Sequence, residues 1–490
     1  MIFPAAGPPT DSSMSKLLFQ LFSLTFYRWI IYPAHVPKLF IMNTSKFKLL
    51  ILFIVIVNTA CAQDMWKYFT PDDFAKRRAK VMEQIGDGVA ILQGAELPEG
   101  FVKFRQDNNF FYLTGVEIPN ARLILDGKTK TATLFVPDRM SGDIKQEAWI
   151  TAGEKDAAAY KMTRIVSTNS FTAALNRYAS VGQPIYILSS PEETHEMSRD
   201  RCAAHQTSRM NDPWDGRLSK ETNFINKVKE RFPLTAVKDL TPVLDMMRWV
   251  KDEKEIGVIR ECGRIGALGF DEAMRVTRPG VYEYQVVAAC DFIYQNEGAS
   301  GPAYFAIAAS GERGLIWHYN ANNHKMKDGD VILLDYAPDH YYYTTDITRT
   351  WPVGDKFTDV QLKMYNCIKE VQETVIASMK PGVTIPDLKK IAKDIYIKHG
   401  FEKLWPDYIG HFVGMAVHDV GPYDKPFVEG VVFNVEPIIE DKALKVHFRL
   451  EDTIVITKTG SENLTAGTTM EPEKIYKLKK EKGVGEKAAF

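Results

Sequence analysis

The sequence predicts a two-domain α+β protein, a smaller α/β domain followed by a larger domain of helices and strands. Three observations carry this. Between Trp66 and Leu240, short apolar strand-like runs alternate with helical or turn material, the pattern of an α/β layer. Beyond it, long amphipathic helices divided by Pro-Gly pairs give way to clustered β-branched segments. At 490 residues and 45% hydrophobic, the chain can bury a large core and is expected to divide into domains. A net charge of −1 excludes a general electrostatic attraction to nucleic acid or anionic membrane.

Taken in order, residues 42–62 read as an export signal. Lys46 and Lys48 precede the apolar run Leu49–Val57, and Ala60-Cys61-Ala62 fits a small-residue cleavage site before Gln63. The run is short for a membrane helix. The protein is therefore expected to be exported, periplasmic or secreted. Lipid anchoring at Cys61 is the alternative, although Asn58 stands where that pattern prefers leucine. Residues 1–41 then read as an overextended start ahead of Met42, with a membrane helix around Leu17–Tyr32 as the rival reading, weakened by Arg28.

The first domain is expected over residues 63–241. Pro71-Asp72-Asp73 opens a helix through Met82, with acidic residues at its favoured end. Val89–Leu92, Leu123–Leu125, Thr133–Val136 and Ile185–Leu188 read as strands. Cys202, Cys262, Cys290 and Cys367 are far apart without a CxxC pattern, and read as packed thiols.

The second domain is expected over 242–466. Residues 247–276 read as one strong helix whose charged stretch Lys251–Glu255 is solvated surface. Tyr282–Glu297, Thr358–Met379 and Ile385–Lys398 read as further helices. Residues 467–490 end in a Lys/Glu-rich stretch expected to be a solvated tail or exposed helix.

The chemistry centres on VILLDYAPDHYYYTTDITRTWPVG, Val331–Gly354. Val331–Leu334 reads as a buried strand ending in Asp335, Pro338-Asp339 as the turn, and Tyr341–Val353 as the returning strand of a hairpin. Alternation places Asp346, Thr348 and Thr350 on one face. A buried carboxylate there needs a partner. One reading has Asp335 serving the turn and Asp346 pairing with Arg349 or another cation. The other has a metal ion between the two carboxylates, which requires more ligands. Those follow: His411 and His418 flank a glycine in GHFVGMAVHD, Glu436 lies in FNVEP, and Glu451 shares a strand face with Arg449 in FRLEDTIVIT. Upstream, His318 sits in WHYN. Four carboxylates and one imidazole suit two divalent cations, Mn²⁺ before Zn²⁺ or Co²⁺ because oxygen ligands dominate.

The order and spacing of these residues resemble the pita-bread metallopeptidases, which include aminopeptidase P, prolidase and methionine aminopeptidase. The resemblance rests on the step from Asp335 to Asp346, the DITRT that follows, and the HxxGxxxHD pattern from His411 to Asp419. FRQDNNFFYLTGVEIPNA, Phe104–Ala121, resembles a segment of the N-terminal domain of aminopeptidase P and prolidase, which methionine aminopeptidases lack. It implies a creatinase/aminopeptidase-like pita-bread catalytic domain with Asp335, Asp346, His411, Glu436 and Glu451 as ligands of two metal ions. It further implies hydrolysis of an N-terminal Xaa-Pro bond by a metal-bridging hydroxide. Glu436 would shuttle protons, His318 and His418 would bind the substrate carbonyl, and Arg449 would orient the acidic ligands. The expected substrates are peptides with proline second, and a homodimer or tetramer is the expected assembly. A dipeptide-only prolidase and a non-catalytic pita-bread binding protein are the alternatives.

Three departures bear on specificity. Relatives usually read HGLGH or HGLSH where this chain has Asp407-Tyr408-Ile409-Gly410-His411, so Asp407 replaces a histidine of the substrate pocket. Ile438 stands where a glycine usually follows Glu436-Pro437, and the Glu436–Glu451 step is short.

Overall fold

The computed structural model describes residues 67–138, 150–193 and 198–484, and Gln63–Phe490 form one compact unit. The expected export signal, Cys61 and the segment before Met42 lie outside the described residues. No helix among the described residues is long and apolar enough to cross a membrane.

The N-terminal part runs α1 (Pro71–Gln84), β1 (Val89–Gln93), α2 (Asn108–Thr114), β2 (Arg122–Asp126), β3 (Thr131–Val136), α3 (Glu154–Ala159), β4 (Arg164–Ser167), α4 (Phe171–Ser180), β5 (Ile185–Ile187), α5 (Arg199–Asn211), α6 (Lys220–Arg231) and β6 (Val237–Asp239). Its six strands form one mixed sheet in the order β4-β3-β2-β1-β5-β6. Both faces are covered, which is why its strands read as unbroken apolar runs. Val89, Ile91, Ile124 and Phe135 face Phe171, Leu175 and Val228 of α4 and α6. Ala90, Leu92, Leu123 and Leu125 face the other way, into a core that continues to Tyr342, Tyr343, Val413 and Val455 of the C-terminal part. β4 and β6 were not expected, being short edge strands with exposed polar residues.

The C-terminal part runs α7 (Thr241–Trp249), α8 (Glu253–Val276), α9 (Glu283–Asn296), β7 (Gly301–Pro302), β8 (Ile307–Ser310), β9 (Val331–Asp335), β10 (Pro338–Asp339), β11 (Thr348–Pro352), α10 (Asp359–Ser378), α11 (Ile385–Lys398), β12 (Val432–Val435), β13 (Ile438–Asp441), β14 (Val446–Arg449), β15 (Asp452–Ile456), β16 (Ser461–Asn463) and α12 (Pro472–Leu478). β9 is the centre of the sheet β11-β9-β8, β15 the centre of β12-β15-β16, and β13 pairs with β14. A bridge between Thr348 and Glu451 links the first of these sheets to the second half of the domain.

Four expectations change. Residues 247–276 are two helices, because Val250 is drawn into a bridge with Val431 and Asp252 starts α8 with a capping box to Glu255. Lys251 and Glu255 are therefore not solvated: Lys251 is buried against Asp419 at 3.1 Å, and Glu255 accepts a 2.8 Å bond from Tyr343. The returning strand is only Thr348–Pro352, since Tyr341 and Tyr342 take left-handed φ of 50° and 70°. Tyr342 instead stacks on Phe111 at 3.6 Å and donates to Glu117, tying the hairpin to the N-terminal part. The Lys/Glu-rich end is not wholly solvated either. Ile475 and Tyr476 of α12 are buried, and Lys479 donates to the carbonyls of Pro352, Val353 and Gly354. The four cysteines that fall among the described residues are free and buried, as the spacing suggested.

Candidate active site

The hairpin positions the first two carboxylates. Asp335 ends β9 opposite Thr348, and Asp346 precedes β11 with its N–H donating to Thr453 Oγ1 at 2.8 Å. Thr348 Oγ1 donates to Glu451 Oε2 at 2.7 Å, and Thr350 Oγ1 to the Arg449 carbonyl at 2.9 Å. The predicted shared face of residues 346, 348 and 350 thus lies against segment 449–453. Glu436 follows β12, held by its N–H to the Ile409 carbonyl at 2.8 Å, while Glu451 lies between β14 and β15. Asn434 locks two neighbours, with its Nδ2 2.7 Å from His411 Nε2 and in contact with Glu451 Oε1.

Ligand-capable atoms converge within 4.8 Å in three overlapping sets: Asp335, Asp346 and Glu451; His411, Glu436 and Glu451; and Asp346, His411 and His418. Among the described residues, Asp346 does not pair with Arg349, which reaches Asp452 at 2.7 Å. Arg449 is the cation on the cluster, 2.7 Å from Asp335 Oδ2 and 3.2 Å from Glu436 Oε1. One cation against four buried carboxylates leaves a charge deficit. Burial, followed by the charge of Asp335, pushes the Asp346 carboxyl well above the ordinary range; burial and then Asp346 do the same to Glu451. Burial lowers His411, favouring its neutral, ligating form. Asp335 Oδ1 is buried without a hydrogen-bond partner. An orphaned carboxylate oxygen among crowded oxygen donors fits divalent cations. Asp335, Asp346, His411, Glu436 and Glu451 could hold them.

His318 and His418 lie at the mouth. The ring of His418 is 4.0 Å, centroid to centroid, from His411. His318 is near enough to Asp335 and Arg449 to feel their charge, and burial followed by the Arg201 charge lowers its pKa. Asp407 is not brought to the cluster. Its carboxylate is exposed and meets Lys389 at 3.1 Å, on a left-handed backbone of φ 54°. The next residue, Tyr408, turns inward instead, where burial and then the Glu436 charge raise its pKa. Sequence reasoning missed Tyr408, as well as Tyr304, whose hydroxyl donates to Asp346 Oδ1 at 2.6 Å, and Asn434. It also missed Arg199-Asp200-Arg201, which contacts both mouth histidines. A charged triplet opening a polar helix carries no local signal of this. The Gly414 backbone does sit at a close approach, made by the Asp419 side chain.

Residues 257–458 match the family described as "Metallopeptidase family M24", and residues 74–186 match "Aminopeptidase P, N-terminal domain". The chain is 33% identical over 246 residues to the Xaa-Pro dipeptidase of Pyrococcus horikoshii, covering 49% of this chain and 70% of that one. The chain belongs to metallopeptidase family M24. Its N-terminal match sets it in the aminopeptidase P branch, with the pita-bread catalytic domain expected there. The Xaa-Pro aminopeptidase of Escherichia coli is 29% identical over 446 residues, 83% of this chain and 97% of its own. A zinc-substituted aminopeptidase P of Escherichia coli with bound product superimposes with a TM-score of 0.68 at 27% identity, covering 84% of this chain and 98% of that one.

Proposed function

We propose that this metallopeptidase removes the first residue from peptides with proline in second place. The observation that carries the reading is the convergence of Asp335, Asp346, His411, Glu436 and Glu451 beneath a mouth lined by two histidines, in a chain of this branch. In this reading Asp335, Asp346, His411, Glu436 and Glu451 would together hold two divalent cations. Oxygen-rich donors favour Mn²⁺ over Zn²⁺ or Co²⁺. When bound, such a pair supplies a water acidified towards neutrality as the nucleophile.

The protein's own groups do the rest. Arg449 anchors Asp335 and Glu436, so their free oxygens keep a fixed direction. Tyr304 and Thr348 do the same for Asp346 and Glu451. Glu436 carries the proton from the attacking water to the departing proline nitrogen. His318 and His418 bind the substrate beside the scissile bond. Asp407 takes no part, being turned to Lys389. Export through residues 42–62 and assembly as a homodimer or tetramer belong to the same reading.

Product analysis tests it. A chain beginning at Gln63 would be stripped of metal, supplied with Mn²⁺ and given an Xaa-Pro-Yaa tripeptide and the matching dipeptide. Release of the first residue from the tripeptide, lost in Asp346→Ala, is the expected result. Cleavage of the dipeptide alone would make the protein a dipeptidase, and cleavage of neither would overturn the assignment.

A further inference from the structure

Helix α5 reaches the mouth of the site with the backbone of its first residue and the side chains of its second and third. The N–H of Arg199 donates to the His418 carbonyl at 3.0 Å, while its guanidinium pairs with buried Glu193 and with Asp245 at 2.9 Å. The helix start is thereby fixed against the His418 segment. Asp200 places both carboxylate oxygens 3.2 Å from His418 Nδ1. Arg201 Nη2 lies 3.0 Å from His318 Nδ1.

These two contacts have opposite chemistry. An ionised carboxylate only accepts, so His418 Nδ1 must carry a proton. A guanidinium only donates, so His318 Nδ1 must offer its lone pair, and the single proton of that ring sits on Nε2. We propose that Asp200 and Arg201 are positioning residues that set the two mouth imidazoles in opposite tautomers. His318 presents Nε2–H as a donor, suited to a substrate oxygen. His418 presents Nε2 as an acceptor. The two rings are thus not interchangeable, although both stand at the same mouth. A neutral ring free to exchange tautomers would offer the wrong nitrogen part of the time. The consequence for catalysis rests on the roles given to His318 and His418 above, whereas the tautomers do not.

The full chain labelled with ¹⁵N in its imidazoles, stripped of metal, gives the direct readout. Long-range ¹H–¹⁵N correlation, with His318→Gln and His418→Gln for assignment, should find the proton on Nε2 of His318 and on Nδ1 of His418. Arg201→Ala should release only His318 into averaged tautomers, and Asp200→Ala only His418. Both positions are exposed, so the fold should survive. With Mn²⁺ restored, each alanine variant should lower kcat on an Xaa-Pro-Yaa tripeptide on the order of tenfold to a hundredfold, with little change in KM. Arg201→Lys and Asp200→Asn, which keep a donor and an acceptor, should recover most of it. Identical tautomers in both rings, or spectra unmoved by the alanine variants, would overturn the proposal, and unaltered kcat would overturn its consequence for catalysis. A wild-type chain that cleaves nothing, yet shows the stated spectra, would sink the functional reading and leave the tautomer assignment standing.

Discussion

Stripping divalent cations from the site should make the protein less stable as pH rises, and returning them should reverse the trend. Asp346 and Glu451 have carboxyls raised above their ordinary values, first by burial and then by neighbouring carboxylates. A group with a raised folded pKa binds its proton more tightly folded than unfolded. Its contribution is therefore full below the ordinary carboxylate range and is lost as pH climbs through the folded value. Cations bound among the same oxygens replace those protons, so binding strengthens with pH. An ion at a hundred times its Kd adds about 2.7 kcal/mol. With an unfolding entropy of about 2.1 cal/mol/K per residue over about 430 residues, 1 kcal/mol moves Tm by about 1 °C. Two ions should then raise Tm by about 6 °C near pH 7.5, shrinking towards pH 5. Calorimetry of the metal-free chain with and without Mn²⁺, beside Asp346→Asn, measures this. The variant should be the more stable metal-free protein at pH 7.5 and should lose most of the Mn²⁺ shift. A metal-free wild type that gains stability over the variant as pH rises from 5 to 8 would refute the reasoning.

Other perturbations have defined outcomes. Arg248 is buried between Glu193 at 2.9 Å and Asp419 at 2.5 Å, so Arg248→Ala should cost about 3 kcal/mol in urea unfolding, because each of two buried carboxylates loses one of its two cationic partners, Arg199 and Lys251 remaining. Burial raises Glu193, but Arg248 and Arg199 outweigh it and hold the carboxyl at about 2. That pairing stabilises above the unfolded value and is lost as pH falls towards 2, so Glu193→Gln should flatten the acid limb of the stability curve. Asp252→Ala removes the cap that starts α8 and should cost about 1 kcal/mol by thermal melting. Arg449→Met releases Asp335 and Glu436 together, and should weaken Mn²⁺ affinity on the order of tenfold to a hundredfold by isothermal titration.

What the sequence disclosed tracks where local chemistry is self-sufficient. Asp335, Asp346, His411, Glu436 and Glu451 stood out because carboxylates and imidazoles inside apolar β-like runs demand an explanation, and the structure gathers all five. Helices such as Ile385–Lys398 were legible from apolar period and the Pro-Gly break before them. The errors arose where tertiary partners override local pattern. Lys251 reads as helix surface until Asp419, far along the chain, takes its charge into the core. Tyr341 to Thr345 has strand composition, yet Phe111 and Glu117 draw Tyr342 out of the ladder. Asp407 occupies the place of a pocket residue, but a left-handed backbone and Lys389 turn it outward. Asp252 and Glu255, by contrast, spelled a capping box in the sequence, and reading it would have divided residues 247–276 correctly.

If the five converging side chains hold two cations that peptide cleavage requires, metal content and cleavage must rise together. Stepwise addition of Mn²⁺ to the metal-free chain, with bound metal and release of the first residue from an Xaa-Pro-Yaa tripeptide followed together, tests it most directly. Without metal no residue should be released, and activity should saturate as two ions bind per chain, with both lost in Asp346→Ala. Full activity in the metal-free chain, or undiminished metal binding and cleavage in Asp346→Ala, would contradict it.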